Sequence, residues 1–282
     1  MDLSIIIINY NVAERLDKCL ESLQMYLKNI SAEVIVMDNA SPDRSWISLK
    51  EKYPKVQFHP LDKNYGFAVA NNKGVALAKG EYILLLNPDT LILDNLFEDL
   101  LKFSKQHPEM GTLGVRMING EGKFLPESKR SVPNLRNSFS KLFLSQNEAN
   151  KKNYYRGDIS EEEIAEVEVI TGAFMWMQKK IYEKVGGLDE AYFMYGEDID
   201  ICYSLLNLGY KNYYFGKKTI IHYKGESTTK DEVYLNRFYG AMQIFLNKYY
   251  KNQNPLQYQI LSAGLKLKYK LAKNTLKRKS SS

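Results

Sequence analysis

The sequence predicts an α/β fold in which helices flank a mostly parallel, Rossmann-like sheet, followed by a helical C-terminal extension. Three observations predict it: four short apolar runs in the first ninety residues, helix-like segments between them, and an acid-free basic segment at the end. Strands that alternate with helices are typical of a parallel sheet covered on both faces. We expect one sheet domain over residues 1–228 and a basic helical extension over residues 229–282.

The first three predicted strands are apolar runs. Residues 3–8 (LSIIII) form the first, Glu33–Asp38 the second, and KVQFHP contains the third. The helix after the first strand has leucines at helical spacing, and Asn11 with Glu14 is a candidate capping box. Ser41-Pro42 is a candidate start for a short second helix.

The segment NYGFAVANNKGVALAKG is predicted as a helix closed by Gly80, and Tyr82–Leu86 as the fourth strand. Later order is less regular. We expect a long loop with helical pieces over 132–166, a helix from near Glu197 to Gly209, short strands at NYYF and TIIHYKG, and helices from Thr229 onward.

Short polar residues follow all four predicted strands. In parallel sheets, ligands bind outside the carboxyl ends of the strands. One such end is an ordinary turn, but four that converge predict a binding site. The residues are Asn9, Tyr10, Asn11, Asp38, Asn39, Ser41, Asn64, Gly66, Asn87 and Asp89. The chain has no G-x-G-x-x-G after the first strand and no P-loop, which argues against a dehydrogenase or a P-loop kinase.

Composition and charge indicate where the protein works. The 282 residues are 44% hydrophobic and 26% charged, as in soluble globular proteins, and no apolar run reaches membrane-spanning length. The N-terminus lacks the basic region of a signal peptide. Cys19 and Cys202 form neither a metal spacing nor a disulfide framework, so a reducing, cytoplasmic location is expected.

Basic charge is concentrated at the C-terminus. No acidic residue follows Glu232, whereas ten lysines and arginines do, and the rest of the chain has 29 basic and 33 acidic residues. Such a tail is expected to contact an anionic surface, which would be the inner face of the cell membrane. No recognition motif supports nucleic acid. A merely solubilising tail is the alternative.

Seven motifs, in order along residues 3–225, resemble glycosyltransferase family 2, which has a GT-A fold, and within it the bacterial rhamnosyltransferase-like group. They are IIIINYN, VIVMDNAS, NYGFAVANN, LLLNPDT, TGAFMWMQKKIYEKVGGLDE, FMYGEDID and HYKGES. The resemblance implies inverting transfer of a sugar from a nucleotide diphosphate sugar to an acceptor hydroxyl. The donor would be dTDP-rhamnose or a UDP-sugar, and the acceptor a glycan or lipid-linked glycan of surface polysaccharide synthesis.

The resemblance also implies a metal site. The family's D-x-D motif reads Asn87-Pro88-Asp89 here, so Asp89 is the matching ligand of Mg²⁺ or Mn²⁺ and the first carboxylate is missing. A divalent cation would neutralise the charge that the diphosphate leaving group gains. His222, followed by Lys224, Gly225 and Ser227, matches a histidine near the diphosphate. Its alternative role is purely structural.

For the nucleotide, the resemblance implies that Asp38 accepts from the N3–H of uracil or thymine, or from the ribose. Asn9, Tyr10, Asn11 and Asn39 would also hold base or ribose. Asn64 and Gly66 would border that pocket, Asn87 would bind the donor phosphates, and Gly172 would lie near the donor sugar. The alternative for these residues is turn chemistry or helix capping.

The segment YGEDID provides the catalytic candidates. An inverting transfer needs a carboxylate to take the acceptor proton, and the resemblance implies Asp198 as this base with Glu197 supporting the acceptor. Acidic residues at a helix start are also common for electrostatic reasons. The offset of Asp200 turns it to another face. Arg130 is interpreted as a solvated surface charge rather than a phosphate contact.

Trp176 and Phe174 are interpreted as core residues rather than as a stacking face for the acceptor. Two other functions compete with transfer. One is a catalytically weak nucleotide-sugar-binding protein, favoured only by Asn87 in place of a carboxylate. The other is a nucleotidyltransferase, which would need a basic phosphate-binding loop after the first strand, and NYNVAERL does not supply one.

Overall fold

The computed structural model describes residues 1–132, 153–223 and 231–280, with side chains described up to residue 276 in the last range. Within these ranges the chain forms nine strands and eight α-helices. The strands are β1 (Leu3–Asn9), β2 (Ala32–Asp38), β3 (Gln57–Pro60), β4 (Tyr82–Leu86), β5 (Thr90–Ile92), β6 (Met110–Ile118), β7 (Ile164–Val167), β8 (Phe174–Gln178) and β9 (Lys211–His222). The helices are α1 (Ala13–Tyr26), α2 (Trp46–Lys52), α3 (Gly66–Leu77), α4 (Phe97–Gln106), α5 (Lys179–Val185), α6 (Glu197–Asn207), α7 (Glu232–Tyr249) and α8 (Pro255–Ser280).

The first four strands form the predicted parallel sheet, in the order β3-β2-β1-β4. Ile5 in β1 is in register with Val34 in β2 and with Leu84 in β4. All seven residues of β1 and all five of β4 are buried, which explains their uninterrupted apolar sequence. The carboxyl ends of these strands therefore lie along one edge, as expected.

Beyond β4 the sheet becomes mixed. Strand β8 is antiparallel to β4 and β6, whereas β6 and β9 are parallel. The prediction of two strands at NYYF and TIIHYKG is wrong, because β9 runs unbroken from Lys211 to His222. The glycine between them, Gly216, packs so closely that a Cβ there would lie 2.5 Å from the carbonyl oxygen of Glu161. In the sequence Gly216 resembles the end of a strand, but in the structure it allows two backbone segments to pack closely.

Apolar clusters cover both faces of the sheet. One joins Leu3, Ile5 and Ile7 with α1 and α4, and the other joins Ile6 and Ile8 with α3 and α6. Alternate side chains of a strand point to opposite faces, so β1 supplies both clusters. The expected core positions of Trp176 and Phe174 are confirmed, since both are fully buried.

Three local predictions fail for physical reasons. Helix α1 begins at Ala13 without a side-chain cap, because Asn11 adopts a left-handed φ of 56° instead. Helix α2 begins at Trp46 rather than after Ser41. Helix α3 ends at Leu77, and Gly80 serves close packing, since a Cβ there would lie 2.5 Å from the backbone nitrogen of Ser4.

The C-terminal helices α7 and α8 pack against each other, and α7 packs against the sheet domain. Phe245 of α7 belongs to the same core cluster as α6, and Leu261 and Leu265 of α8 are buried. The expected boundary between residues 228 and 229 lies outside the described residues. In the described part of the chain, no helix is both long and apolar enough to cross a membrane.

Candidate active site

The ends of β1 and β2 are joined by a buried hydrogen-bond network. Asn9 Nδ2 donates to Asp38 Oδ1 at 2.7 Å, and Ser41 Oγ donates to the same oxygen at 2.6 Å. The Ser41 amide donates to Asp38 Oδ2 at 3.0 Å. Asp38 is therefore engaged by three donors from the protein itself, which gives it a structural role beside any nucleotide contact.

A second network joins the β2 end to the start of α3. Asn39 Nδ2 donates to Asn64 Oδ1 at 3.0 Å and to the Gly66 carbonyl at 3.1 Å, and Asn39 Oδ1 accepts from the Tyr65 amide. Gly66 has a φ of 80°, and a Cβ there would lie 2.2 Å from the carbonyl oxygen of Phe193. The glycine thus permits close approach of the Phe193 backbone.

The residues after β1 point outward. Tyr10 is 44% exposed and Asn11 is also exposed, while the Asn11 amide donates to Ser41 Oγ at 3.0 Å. These two side chains are the most exposed of the predicted nucleotide contacts, and Asn64 and Asn87 are half-buried.

Asp89 and His222 are brought together by pairing of β5 with β9. Thr90 is in register with His222, and the Tyr223 amide donates to the Asp89 carbonyl at 2.9 Å. His222 Nε2 lies 3.3 Å from Asp89 Oδ1. Asn87 stands at the end of β4, where its amide donates to the Ala173 carbonyl at 3.0 Å. Two residues 133 positions apart in sequence thus face one another.

Both side chains contain buried polar atoms without a hydrogen-bond partner in the described structure, namely Asp89 Oδ1 and His222 Nδ1. A buried unpaired polar atom is unfavourable, so its presence indicates an absent partner. A carboxylate oxygen and an imidazole suit Mn²⁺, and the carboxylate also suits Mg²⁺. In the described residues no group of three or more such side chains could hold a metal ion, so remaining ligands would come from phosphate and water.

Asp198 lies at the start of α6, 15% exposed, with donors converging on its carboxylate. Arg130 Nη2 donates to Asp198 Oδ2 at 2.6 Å, the Gly172 amide donates to the same oxygen at 3.2 Å, and the Ile199 amide donates to Oδ1 at 2.8 Å. These donors suit an ionised carboxylate. The approach of Gly172 to Asp198 also places the predicted donor-sugar loop beside the predicted base.

The interpretation of Arg130 as a surface charge is wrong. Its side chain is only 11% exposed, and its second partner is the Ile170 carbonyl, at 2.8 Å from Nη2. Burial alone would lower the pKa of Arg130, but the adjacent Asp198 carboxylate outweighs burial and raises it. No local sequence pattern predicts this pair, because the partners are 68 residues apart.

Glu197 is buried beside Asp198. Burial, followed by repulsion from the Asp198 carboxylate, raises the pKa of Glu197 well above its usual range. Its Oε2 atom has no hydrogen-bond partner in the described structure. A carboxyl group with a raised pKa beside a second carboxyl group is an arrangement found in acid–base sites. A neutral Glu197 can donate a hydrogen bond, whereas an ionised Asp198 can accept a proton.

Asp200 faces away from this pair, as expected, and contacts the C-terminal helix. Lys248 of α7 donates to Asp200 at 2.8 Å and to Asp189 at 2.6 Å, and the Tyr192 hydroxyl donates to Asp200 at 3.2 Å. The Asp200 side chain is 3% exposed. Lys248 therefore joins Asp189, which lies before α6, to Asp200 in the first turn of α6. Sequence reasoning missed this contact. Lys224, Gly225 and Ser227 lie outside the described residues.

The family model described as "Glycosyl transferase family 2" matches residues 4–186 of the chain. This range includes the strand-end networks, Asp89, Arg130 and Gly172. The catalytic candidates on α6 and His222 lie after it.

Curated relatives span most of the chain. The N-acetylglucosaminyl-diphospho-decaprenol L-rhamnosyltransferase of Mycobacterium tuberculosis is 25% identical over 86% of this chain and 83% of its own. The rhamnosyltransferase WbbL of Escherichia coli is 29% identical over 78% of this chain and 82% of its own.

Solved structures share the fold at low identity. GalNAc-T7, crystallised with UDP, GalNAc and Mn²⁺, aligns with a TM-score of 0.62 and 14% identity, covering 86% of this chain and 47% of that one. Staphylococcus aureus TarS with UDP aligns with a TM-score of 0.56 and 18% identity, covering 88% of this chain and 65% of that one. These likenesses confirm the GT-A-type α/β fold.

Proposed function

Because this chain belongs to glycosyltransferase family 2 and is rhamnosyltransferase-like, we propose that it transfers a sugar from a nucleotide diphosphate sugar to an acceptor hydroxyl in cell-surface glycan synthesis. The main support for this proposal is the adjacent pair Glu197 and Asp198. The Asp198 carboxylate is paired with Arg130 and accepts a hydrogen bond from the Gly172 amide. The two rhamnosyltransferase relatives make dTDP-rhamnose the leading donor, with a UDP-sugar second. The acceptor is a glycan or lipid-linked glycan, the latter by analogy with the mycobacterial relatives.

In this mechanism Asp198 accepts the proton of the acceptor hydroxyl as the acceptor oxygen bonds to the anomeric carbon. The bond from that carbon to the diphosphate breaks, and the nucleoside diphosphate leaves with the electron pair. Attack from the face opposite the leaving group inverts the anomeric configuration. Neutral Glu197 donates to an acceptor oxygen and orients it, and Arg130 with the Gly172 amide holds Asp198 in place.

Asp89 and His222 would hold Mg²⁺ or Mn²⁺ together with donor phosphates, with Asn87 beside them. When bound, the ion supplies positive charge that stabilises the diphosphate leaving group. The unpaired Asp89 Oδ1 and the nearby His222 ring support this assignment. Nucleotide recognition is assigned to the outward Tyr10 and Asn11, with Asn9, Asp38, Asn39, Asn64 and Gly66 shaping the pocket behind them.

The test is a thermal-shift panel of dTDP- and UDP-sugars with and without Mn²⁺ or Mg²⁺, followed by detection of free nucleoside diphosphate. Binding to the folded state raises the melting temperature by mass action. We expect one sugar nucleotide to give the largest shift, and metal to increase it. A binding protein without turnover would show the shift but release no nucleoside diphosphate when acceptor is added. No shift with any nucleotide would contradict the proposal.

The C-terminal extension is proposed to rest on the anionic inner face of the membrane. Helix α8 packs on α7 through one face, and on the other face four exposed apolar residues recur at helical spacing with lysines around them. These residues are Leu256, Ile260, Leu267 and Leu271. Helix α8 therefore has an exposed amphipathic face, which the alternation of lysine with leucine or tyrosine in the sequence does not make evident.

Truncation after Tyr250 should abolish binding to phosphatidylglycerol vesicles while nucleotide binding survives. A finer variant is Leu267→Glu with Leu271→Glu, which should weaken vesicle binding without unfolding. Leu208→Glu, at an equally exposed leucine that follows α6, is the matched control and should bind as the unmodified chain does. Persistent vesicle binding after truncation would exclude α8 as the anchor.

A further inference from the structure

An aromatic cluster joins the catalytic loop to helix α7. The Tyr195 ring lies 5.4 Å from the Tyr234 ring and 6.3 Å from the Phe238 ring, both nearly edge-on. Tyr234 and Phe238 are themselves stacked at 5.8 Å, with planes 11° apart. All three residues are half-buried, so the rings are packed but still accessible in part. Tyr195 is only three residues before Asp198.

The backbone at Tyr195 is held in an unusual conformation. Its φ is 72°, in the left-handed region that a bulky side chain rarely adopts, and Gly196 follows with a φ of 85°. A Cβ at Gly196 would lie 3.4 Å from the Cβ of Ala241 on α7. Strained backbone that is maintained by its surroundings is concentrated at functional sites. Helix α7 therefore fixes both the ring and the backbone beside the catalytic pair.

The loop from Phe193 to Asp198 also contacts the start of α3, next to the strand ends where the donor is proposed to bind. The Phe67 amide donates to the Phe193 carbonyl at 2.7 Å, and this is the carbonyl that Gly66 approaches. Arg237 of α7 lies over the Phe193 ring, with its guanidinium carbon 4.3 Å from the ring centroid. The loop from Phe193 to Asp198 is thus bounded by the start of α3, next to the strand ends, and by α7.

We propose that Tyr195, Tyr234 and Phe238 bind the sugar ring of the acceptor, an inference that rests on the transferase function proposed above. The acceptor must reach Asp198 from a side that the donor does not occupy, and α7 packs on the loop that precedes Asp198. Aromatic rings present a flat apolar face with a polar hydroxyl at the edge of each tyrosine, which fits a sugar ring and not a diphosphate. The C-terminal helix is then part of the substrate site.

Kinetics of Tyr234→Leu and Phe238→Leu test this assignment with N-acetylglucosaminyl-diphospho-decaprenol as the acceptor probe. Each variant should raise the acceptor KM about tenfold, the loss expected from one aromatic contact. The donor KM and the slow hydrolysis of donor by water should stay within about twofold of the unmodified chain. Tyr258→Leu is the matched control, because Tyr258 is a half-buried tyrosine of α8 whose hydroxyl donates to Asn247, away from the three rings.

The glycine variant Tyr195→Gly separates the ring from the backbone. It removes the ring and relieves the left-handed strain, since glycine adopts positive φ readily. We expect an intact fold with a raised acceptor KM. If donor hydrolysis falls in parallel with transfer in these variants, the cluster supports the catalytic loop and the inference is overturned, while the transferase function stands.

Saturation-transfer NMR with free N-acetylglucosamine tests the contact without turnover. Irradiation of aromatic protons should transfer magnetisation to the sugar in the unmodified chain. Phe238→Leu and Tyr195→Gly should reduce this transfer at least severalfold, while Tyr258→Leu should not. No transfer in the unmodified chain, or equal transfer in all variants, overturns the inference. Failure of the proposed function would be recognised separately, as absence of nucleotide-sugar binding and of donor hydrolysis.

Discussion

Two groups of buried polar side chains border the proposed site, and they differ in how they are satisfied. At the strand ends, Asn9, Asp38 and Asn39 hydrogen-bond to other protein groups, and Asp38 alone accepts three bonds. By contrast, Asp89, His222 and Glu197 each hold a buried polar atom without a hydrogen-bond partner in the described structure. Within the first group, Asn9 Oδ1 is the exception, since it too lacks a partner there.

The difference distinguishes polar side chains that stabilise the fold from polar side chains that are available to a ligand. Paired polar groups stabilise the connection between strands, because loss of one partner leaves the other desolvated and unbonded. Unpaired groups destabilise the free protein and are satisfied only when a ligand arrives. The first group should therefore control stability more than turnover, and the second should control turnover or ligand affinity more than stability.

The largest expected effect is that of Asp198→Asn on turnover. Loss of the general base should lower kcat by roughly 10³-fold, within the range for such groups, while affinity for the nucleotide is retained. Turnover and nucleotide affinity should be measured on the same preparation, with thermal unfolding to verify the fold, because Arg130 loses its counter-charge.

Asp158→Asn is the matched control, since it removes an exposed carboxylate that also pairs with an arginine. Its kcat should be unchanged. If Asp198→Asn loses nucleotide binding together with turnover, Asp198 is not acting as the base.

Next in size is the effect of Asp89→Asn on metal-dependent binding. The factor by which Mn²⁺ increases the affinity for nucleoside diphosphate should fall by about 100-fold, because a proposed carboxylate ligand of the metal is lost. Titration calorimetry of nucleoside diphosphate with and without Mn²⁺ measures it. Asp94→Asn, an exposed aspartate that follows β5, should leave the metal dependence intact. An unchanged metal dependence in Asp89→Asn would remove Asp89 from the metal site.

The free energy of unfolding of two aspartate-to-asparagine variants, one from each group, tests the comparison directly. Asp38→Asn should lower the free energy of unfolding by about 2–3 kcal/mol, because one acceptor oxygen becomes an NH2 group that faces the donors of Asn9 or Ser41. Asp89→Asn should lower it less, since Asp89 Oδ1 makes no hydrogen bond in the described structure and its neighbour at 3.3 Å is the His222 ring. Urea unfolding of both variants gives the two values. Equal losses would show that the two groups do not differ as described.

The smallest effect is on the pH dependence of stability. Burial and the Asp198 carboxylate raise the pKa of Glu197 above the ordinary value of 4.5, so the folded state holds a proton that the unfolded chain releases. This contribution is complete below pH 4.5 and is lost as pH rises toward the raised pKa. Glu197→Gln should flatten the decline between pH 5 and 8, as measured by urea unfolding. Glu183→Gln, at an exposed glutamate, should not.

The sequence predicted those parts of the fold that local patterns determine. Strands β1, β2 and β4 are continuous apolar runs, and their burial on both faces follows from that composition. The continuity of β9 escaped prediction because Gly216 meets the backbone of residues 161–163, a contact that no local pattern announces. Asn11 resembled a cap, but its backbone is held by Ser41, thirty residues away.

The candidate site shows the same limit. The positions of Asp89, His222 and Asp198 followed from their motifs, and the structure brings the first two together. Arg130 was misinterpreted because a buried arginine is recognisable only from its partner, and that partner lies on another element. The contributions of Tyr195 and α7 likewise depend on tertiary packing. The catalytic roles themselves remain predictions from the motifs.

Lys248 has a consequence for biosynthesis. It pairs with Asp200, which precedes it by 48 residues, and with Asp189, so the buried Asp200 carboxylate lacks this counter-charge until α7 has been synthesised. A nascent chain that has not yet released α7 from the ribosome therefore lacks a contact that holds the loop before the proposed base. The proposed transfer would then depend on a helix that the ribosome makes after every motif that resembles the family.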